Sequence, residues 1–263
     1  DVEKNTKFYK AFCDAIHEYD EDVLIVGEVS LMGMAINEYK GLDSLFNFPV
    51  VDKIGSIKSM LIASKMMKNS KDFMSSNMIS NHDYGVGRIT DRIKDEKELY
   101  EHAILNILLP GIPFIYYGDE IGMKHRNLAS KEGGYQRTGD RTPMQWNNSK
   151  NRGFSTTDGE LYLPVDDEEC NVEEQLSDPD SLLNFIKEMI KVRKSCPSLS
   201  NNEIRFEYRD DNVLVYERDE IYVIVNLSGH DLPVDISKLA IASSKNALNG
   251  NILKSGSAII LKK

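Results

Sequence analysis

Two short stretches of the sequence place reactive side chains where a strand would end. Ser76-Asn77-Met78-Ile79-Ser80-Asn81-His82-Asp83 finishes with an amide, an imidazole and a carboxylate side by side. Val23-Leu24-Ile25-Val26-Gly27-Glu28-Val29 is an apolar run with one carboxylate near its far end. Strand interiors favour apolar and β-branched side chains, and in parallel α/β folds the reactive groups gather just past the carboxyl ends of the strands. Two carboxylates facing each other there, Glu28 and Asp83, are equipped for general acid–base chemistry. The plainer alternatives are a solvated strand-end charge for Glu28 and a local turn or helix cap for His82 and Asp83.

The elements that must position these groups are legible from periodicity. Phe8, Phe12, Ala15, Ile16 and Tyr19 recur at helical spacing and predict a helix over 1–19 with that face buried. The Val23 run reads as a strand buried on both faces. Leu42 to Phe48 reads as a second strand stopped by Pro49, and Ile54, Ile57, Met60, Leu61 and Ser64 predict a helix over 52–67. A third strand ends at Asp83. Asp95 with Glu98 three residues on caps a helix whose buried face is Leu99, Ala103, Ile104, Ile107 and Leu108. Ile112 to Tyr117 is the fourth strand, and strands alternating with helices are the signature of βαβ units around a parallel sheet.

Residues 118–179 are weakly periodic and too long for an idle connection, which predicts a cover over a site. A last helix starts near Asp178-Pro179, with Leu182, Leu183, Ile186, Met189 and Ile190 on one face. Beyond it the runs Ile204–Tyr208, Val213–Tyr216, Ile221–Val225, Leu232–Ile236 and Ala258–Leu261, separated by turn residues, predict a small antiparallel β domain. The expected organisation is therefore residues 1–198 as one α/β unit and 199–263 as a second, all-β unit.

Composition narrows the partners. A chain of 263 residues, 41% apolar, builds one sizeable core or a core with a small appendage. Its net charge of −10 is the wrong sign for a phosphate-backbone binder, which excludes nucleic acid as the expected partner. The apolar stretches around Pro110, Gly111 and Pro113 are too short and broken to span a membrane, and the start lacks the pattern of a secretory signal, so the expected location is the cytoplasm. Cys13, Cys170 and Cys196 are widely spaced and read as free thiols.

Four segments in this order carry a resemblance: Val26-Gly27-Glu28-Val29, Ser80-Asn81-His82-Asp83, Pro113-Phe114-Ile115-Tyr116-Tyr117-Gly118-Asp119-Glu120-Ile121-Gly122-Met123 and Arg141-Thr142-Pro143-Met144-Gln145-Trp146. Together they resemble the α-amylase superfamily of glycoside hydrolases, and within it the oligosaccharide-acting branch of α-glucosidases, oligo-1,6-glucosidases and trehalose synthases. The resemblance implies an α/β fold, the second half (strands five to eight) of a TIM (β/α)8 barrel, followed by an antiparallel β-sandwich. It implies a retaining hydrolase of α-glucosidic bonds in short oligosaccharides, with trehalose synthase-type transfer or isomerisation, or a non-catalytic scaffold, as alternatives. It assigns Glu28 as acid/base and Asp83 as the carboxylate that binds sugar hydroxyls and supports the oxocarbenium-like transition state. Glu28 would need apolar surroundings to stay protonated.

His82 and Asn81 would bind the same glucose ring. Arg88 is a softer substrate-binding candidate, because its spacing departs from Asn-His-Asp-x-x-Arg. The nucleophile, an aspartate in an Arg-x-Asp context, has no counterpart here, so the chain is expected to be a fragment inactive alone, which self-associates or lacks an N-terminal half-barrel. No cofactor is implied, and any calcium site of the family would lie in the absent half. Tyr117, Tyr135, Trp146 and Phe154 offer faces for sugar stacking, with Trp146 weighted towards a structural role. Arg137 and Arg141 are expected to form ion pairs that pin the long loop.

Overall fold

A computed structural model of the chain describes residues 1–29, 39–48, 74–83, 87–93, 95–131, 136–166, 171–200, 204–210, 212–226, 228–237, 240–244 and 246–263. The helix expected over 52–67, together with Tyr135 and Cys170, lies outside them; Cys13 and Cys196 are free thiols.

Helix α1 (Val2–His17) starts at Asp1, whose carboxylate accepts from the Lys4 amide at 3.3 Å. Its buried side is not the one expected. Phe8, Phe12 and Tyr19 are exposed, and Cys13 with Tyr9 packs instead on Leu42 and Leu45. Gly41 explains the choice of face. A Cβ there would lie 2.7 Å from the Lys10 nitrogen and 2.9 Å from the Thr6 oxygen, so a bare backbone with positive φ nestles against this side of the helix.

Strands β1 (Val26–Gly27), β2 (Ser44–Phe46), β3 (Met74–Asn77) and β4 (Ile112–Pro113) form a parallel sheet in sequence order. Parallel neighbours need a crossover, and helix α2 (Lys97–Leu108) supplies the one from β3 to β4. All four strands are shorter than the apolar runs predicted. Val23 and Leu24 are exposed rather than buried on two faces, and β3 stops at Asn77, six residues before Asp83. Besides Leu45, what β2 and β3 bury is polar. The Ser44 and Ser76 hydroxyls lie 2.6 Å apart, Asn47 donates to Asn77 Oδ1 at 2.9 Å, and Asn77 donates to the Pro110 carbonyl at 2.9 Å. Apart from Asn47 Oδ1, which is buried without a partner, these side chains satisfy one another, which is the condition for burying them.

Segment 118–166 holds single turns of tight helix, then come α3 (Val172–Ser177) and α4 (Leu182–Ser195). Ser181 caps α4 by accepting from the Asn184 amide at 3.2 Å. The buried face of α4 is Leu182, Phe185, Ile186, Met189 and Val192, a slightly rotated version of the predicted stripe.

The remainder comprises β5 (Arg205–Asp210), β6 (Val213–Arg218), β7 (Ile221–Asn226), β8 (Leu232–Pro233), β9 (Ala240–Ser243), β10 (Leu248–Asn249), β11 (Ile252–Leu253) and β12 (Ser257–Lys262). They make a five-stranded antiparallel sheet ordered β5-β6-β7-β12-β9 and a three-stranded one ordered β10-β11-β8. Side chains alternate across a strand, so the continuous apolar runs serve two faces. Val213, Val215, Ile259 and Leu261 pack with Leu253 of β11. Leu214, Tyr216, Val223, Val225, Ala258 and Ile260 pack on α2 and α4 against Ile104, Leu105 and Met189.

Arg218 shares the phase of Leu214 and Tyr216 and so points at the helices. Its guanidinium donates to the carbonyls of Leu108, at the end of α2, and Leu199, the latter at 2.8 Å. Arg193 of α4 donates to Ile107 and Gly111 carbonyls, each at 2.6 Å. The last carbonyls of a helix lack intrahelical donors and carry partial negative charge, so two arginines there serve as a buried cap.

Removing that cap tests how firmly the β sheet is joined to the helices. Arg218→Met should cost about 3 kcal/mol, because two buried carbonyls lose charged donors. The fall should appear in the urea midpoint with an unchanged slope, and Arg218→Lys should recover less than half of it.

Candidate active site

Because the four strands are parallel, their carboxyl ends share one rim. Glu28 follows β1 directly, at the level of Phe46 and Ser76 by the register of the ladder. Gly27 before it is required: a Cβ would lie 2.5 Å from Leu45 Cδ2 and 2.7 Å from Leu42 Cδ1. The Glu28 side chain is exposed, so the apolar enclosure expected of a general acid is not supplied among the described residues.

Asp83 stands two strand positions away, beyond β3, at a lateral separation of roughly 10 Å from two strand spacings. Its position is set by a closed turn. Asn81 Oδ1 accepts from the Asp83 amide at 2.8 Å, the Asn81 amide donates to the Gly87 carbonyl at 3.2 Å, and the Gly87 amide donates to the Asp83 carbonyl at 3.1 Å. Arg137 Nη1 donates to Asp83 Oδ1 at 2.8 Å and Arg141 Nη2 to the same oxygen at 3.2 Å. Arg141 Nε also donates to the His82 carbonyl at 3.0 Å. The His82 ring is half exposed, with Nε2 3.7 Å from Asp83 Oδ2 and its centroid 6.3 Å from that of Tyr116.

The structure therefore gathers Asn81, His82 and Asp83 at one place and Glu28 on the same rim. The Asn81 amide oxygen serves the turn rather than an open pocket. Arg88 is a correction: it neither reaches a pocket nor lies on the surface. It is fully buried, its guanidinium donating to the carbonyls of Tyr117 and Asp140, the latter at 3.0 Å. The rings of Tyr116 and Tyr117 lie 4.6 and 4.9 Å from it. Spacing alone cannot show that two distant carbonyls and two tyrosine rings close over this side chain. Arg137 and Arg141 were assigned by sequence only to pinning the loop; the pairing of both with Asp83 joins segments more than fifty residues apart.

Asp119 lies under this assembly, fully buried, with an oxygen 3.8 Å from Arg88 Nη1. Burial pushes its carboxyl up to about 7, while the Arg88 charge pulls the other way without reversing the shift. Geometry agrees, since the Arg88 Nη1 and Nη2 donors go to carbonyls and both Asp119 oxygens are buried without a hydrogen bond. Among the described residues Asp91, His125 and Asp140 bring potential metal-ligand atoms within 4.8 Å of one another. His125 Nδ1 already shares a 2.9 Å hydrogen bond with Asp140 Oδ1.

Comparisons with known proteins agree with this architecture. A family model described as "Alpha amylase, catalytic domain" matches residues 1–202. The chain is similar to Alpha-amylase 3 of Dictyoglomus thermophilum, 31% identical, with 100% of this chain and 56% of that protein covered. It is similar to the trehalose synthase/amylase TreS of Mycobacterium tuberculosis, 34% identical over 56% of this chain and 26% of that protein. Among solved structures, the α-amylase from H. orenii superposes with a TM-score of 0.75 at 25% identity, covering 99% of this chain and 57% of its own. The chain thus spans about half the length of the relatives that match its full extent.

The raised Asp119 value has a sign that can be checked. Its folded-state value lies above the 3.8 of an ordinary aspartic acid, so the folded protein holds the proton more tightly. That stability is complete below about pH 4 and is lost as pH rises through about 7. Urea unfolding at pH 5 and pH 8 should show the native protein weaker at pH 8, and Asp119→Asn should reduce the difference, the remainder coming from the buried Glu101, whose carboxyl is raised to about 9.

Proposed function

Because the chain belongs to the α-amylase family of catalytic domains, we propose that it carries half of the active site of a retaining enzyme acting on α-glucosidic bonds of short oligosaccharides. The observation that supports this most directly is the common rim: Glu28 and Asp83 lie past the carboxyl ends of β1 and β3 of one parallel sheet, and Asp83 is fixed by Arg137 and Arg141. In this reading β1 to β4 are the last four strands of a (β/α)8 barrel. The two sheet edges at β1 and β4 are then paired by strands outside these residues, and residues from about 199 onward form the β-sandwich that follows the barrel.

The chemistry divides between the carboxylates. Glu28 gives its proton to the glycosidic oxygen as the C1–O bond breaks, while a nucleophilic carboxylate forms a bond to C1. The Glu28 carboxylate then takes a proton from water, whose oxygen attacks C1 and frees the nucleophile. Asp83, held by two arginines, accepts from hydroxyls of the same glucose, and His82 lies beside it. The one Arg-x-Asp of the sequence, Arg209-Asp210-Asp211, falls in the C-terminal β region and not after a strand of the parallel sheet, so in this reading the nucleophile lies outside these 263 residues, which alone perform no turnover. The likeness to a trehalose synthase/amylase supports a second outcome of the same intermediate, in which a sugar hydroxyl replaces water.

In the whole enzyme, Glu28→Gln should lower kcat on maltose about 10²- to 10⁴-fold, the usual worth of a general acid–base group. With 4-nitrophenyl α-glucoside, whose leaving phenolate needs no proton, kcat/KM should fall at least about ten-fold less; equal losses on both substrates would reject the acid role. The isolated chain should release no nitrophenol. Release that Glu28→Gln abolishes would place the nucleophile within these residues.

A further inference from the structure

The carboxyl of Asp119 and the guanidinium of Arg88 are buried side by side without a hydrogen bond between them. Asp119 Oδ1 lies 3.8 Å from Arg88 Nη1, beyond hydrogen-bond length. Both Asp119 oxygens and Arg88 Nε are buried with no hydrogen bond at all. Arg88 gives Nη1 to the Tyr117 carbonyl and Nη2 to the Asp140 carbonyl, the latter at 3.0 Å. The catalytic reading of the rim has no task for Asp119. Buried polar groups are ordinarily paired, so an unpaired acid beside a cation able to pair with it calls for a reason.

Few other charges reach this carboxyl. The turn it opens supplies Glu120, whose Oε2 accepts from the Gly118 amide at 2.6 Å. Helices α2 and α4 pack on the same turn through Leu99, Leu182 and Leu183, which are uncharged. Asp140 turns its own carboxyl to His125, and the hydroxyls of Tyr116 and Tyr117 donate to the Asp140 and Thr142 carbonyls. Among the described residues that act on Asp119, Arg88 is therefore the cation. Gly118 leaves the guanidinium its space, since a Cβ there would lie 2.8 Å from Arg88 Nη1.

We propose that Asp119 is a positioning residue that works through Arg88: neutral, it leaves the guanidinium on the two carbonyls; ionised, it captures the guanidinium and slackens the rim at Asp83. A carboxylate is the stronger acceptor, because its bond to a guanidinium is charge-assisted on both sides. Closing 3.8 Å to hydrogen-bond length asks Nη1 to move by about 1 Å. The Asp140 carbonyl then keeps the Tyr116 hydroxyl, 3.0 Å away, and loses its charged donor. The next residue is Arg141, whose guanidinium holds Asp83 Oδ1 and the His82 carbonyl. A shift of the Asp140 peptide thus reaches Asp83 through one residue. Burial keeps the Asp119 carboxyl neutral up to about pH 7, so the rim is held in acid and slackens as pH rises through that value. The consequence for substrate rests on the reading of Asp83 as a glucose ligand.

The isotope-labelled chain is titrated by NMR from about pH 5.5 to about pH 8.5, a range that brackets the histidines as well as Asp119. The arginine Nε–H, aspartate carboxyl and histidine ring signals are followed together. The Arg88 and Arg141 signals should move with the midpoint of the Asp119 carboxyl, about 7, and should stay fixed in Asp119→Asn. The movement should remain in His82→Gln and in His125→Gln, which removes those rings as its cause. Movement that persists in Asp119→Asn, or that is lost with either histidine, would overturn the proposal. Should Asp119→Asn not fold, agreement or disagreement of the wild-type Asp119 and arginine midpoints decides. In the whole enzyme, KM for maltose should rise about ten-fold from pH 6 to pH 8.5 in wild type and less than about two-fold in Asp119→Asn, a usual size for coupling between two sites. An equal rise in both would overturn the proposal. Arginine signals that follow Asp119 while the wild-type KM stays level would uphold the coupling and reject Asp83 as the glucose ligand.

Discussion

A guanidinium removed from water, that of Arg88, fixes the relative positions of the segments that form the rim. It follows the Asn81–Gly87 turn, donates to the Tyr117 carbonyl beyond β4 and to the Asp140 carbonyl in segment 137–141, and lies against two tyrosine rings. Three turns from distant parts of the chain thus meet on one side chain. Arginine suits this place because its planar fork keeps several donors in fixed directions and stacks on aromatic faces, which a lysine ammonium does not. The segment it secures is the one that carries Arg137 and Arg141 to Asp83.

A charge buried so deeply needs opposite charge or dipoles, and the structure supplies mostly dipoles. Carbonyls take the hydrogen bonds, while Asp119, the neighbouring carboxyl at 3.8 Å, has its proton affinity raised by burial. The same device recurs at the other end of the molecule, where Arg193 and Arg218 cap the carbonyls closing α2. Burial also raises the Glu101 carboxyl to about 9 and lowers His102, so α2 buries both side chains in neutral form at neutral pH. Core and rim are thereby coupled through buried arginines rather than through surface ion pairs, which contribute little.

The split between a rigid underside and an exposed rim fits catalysis by members of this family. Glu28 and His82 are reached from solvent, whereas Arg88, which secures the segment carrying Arg137 and Arg141, is not. Asn81 and Asp83 are tied by turn hydrogen bonds, Trp146 by backbone bonds to Arg152 and Glu173, and Phe154 by one to Asn151. Such preorganisation keeps the cost of ordering out of substrate binding.

The sequence by itself determined the order of the four parallel strands, the change to antiparallel β-structure and the family. These follow from local periods and from short motifs whose residues are adjacent. It overestimated strand lengths, because an apolar run such as Val23 to Val29 records hydrophobicity and not which residues find a ladder partner. It missed the buried face of α1, which Gly41 selects by close approach, and β9, β10 and β11, which are too short or too mixed to show a period. It also read Arg88 as a candidate ligand and Arg137 and Arg141 as loop pins. Only the tertiary structure decided that Arg88 is enclosed and that the other two arginines hold Asp83, because those partners lie 29 to 58 residues away and are set by how the turns pack.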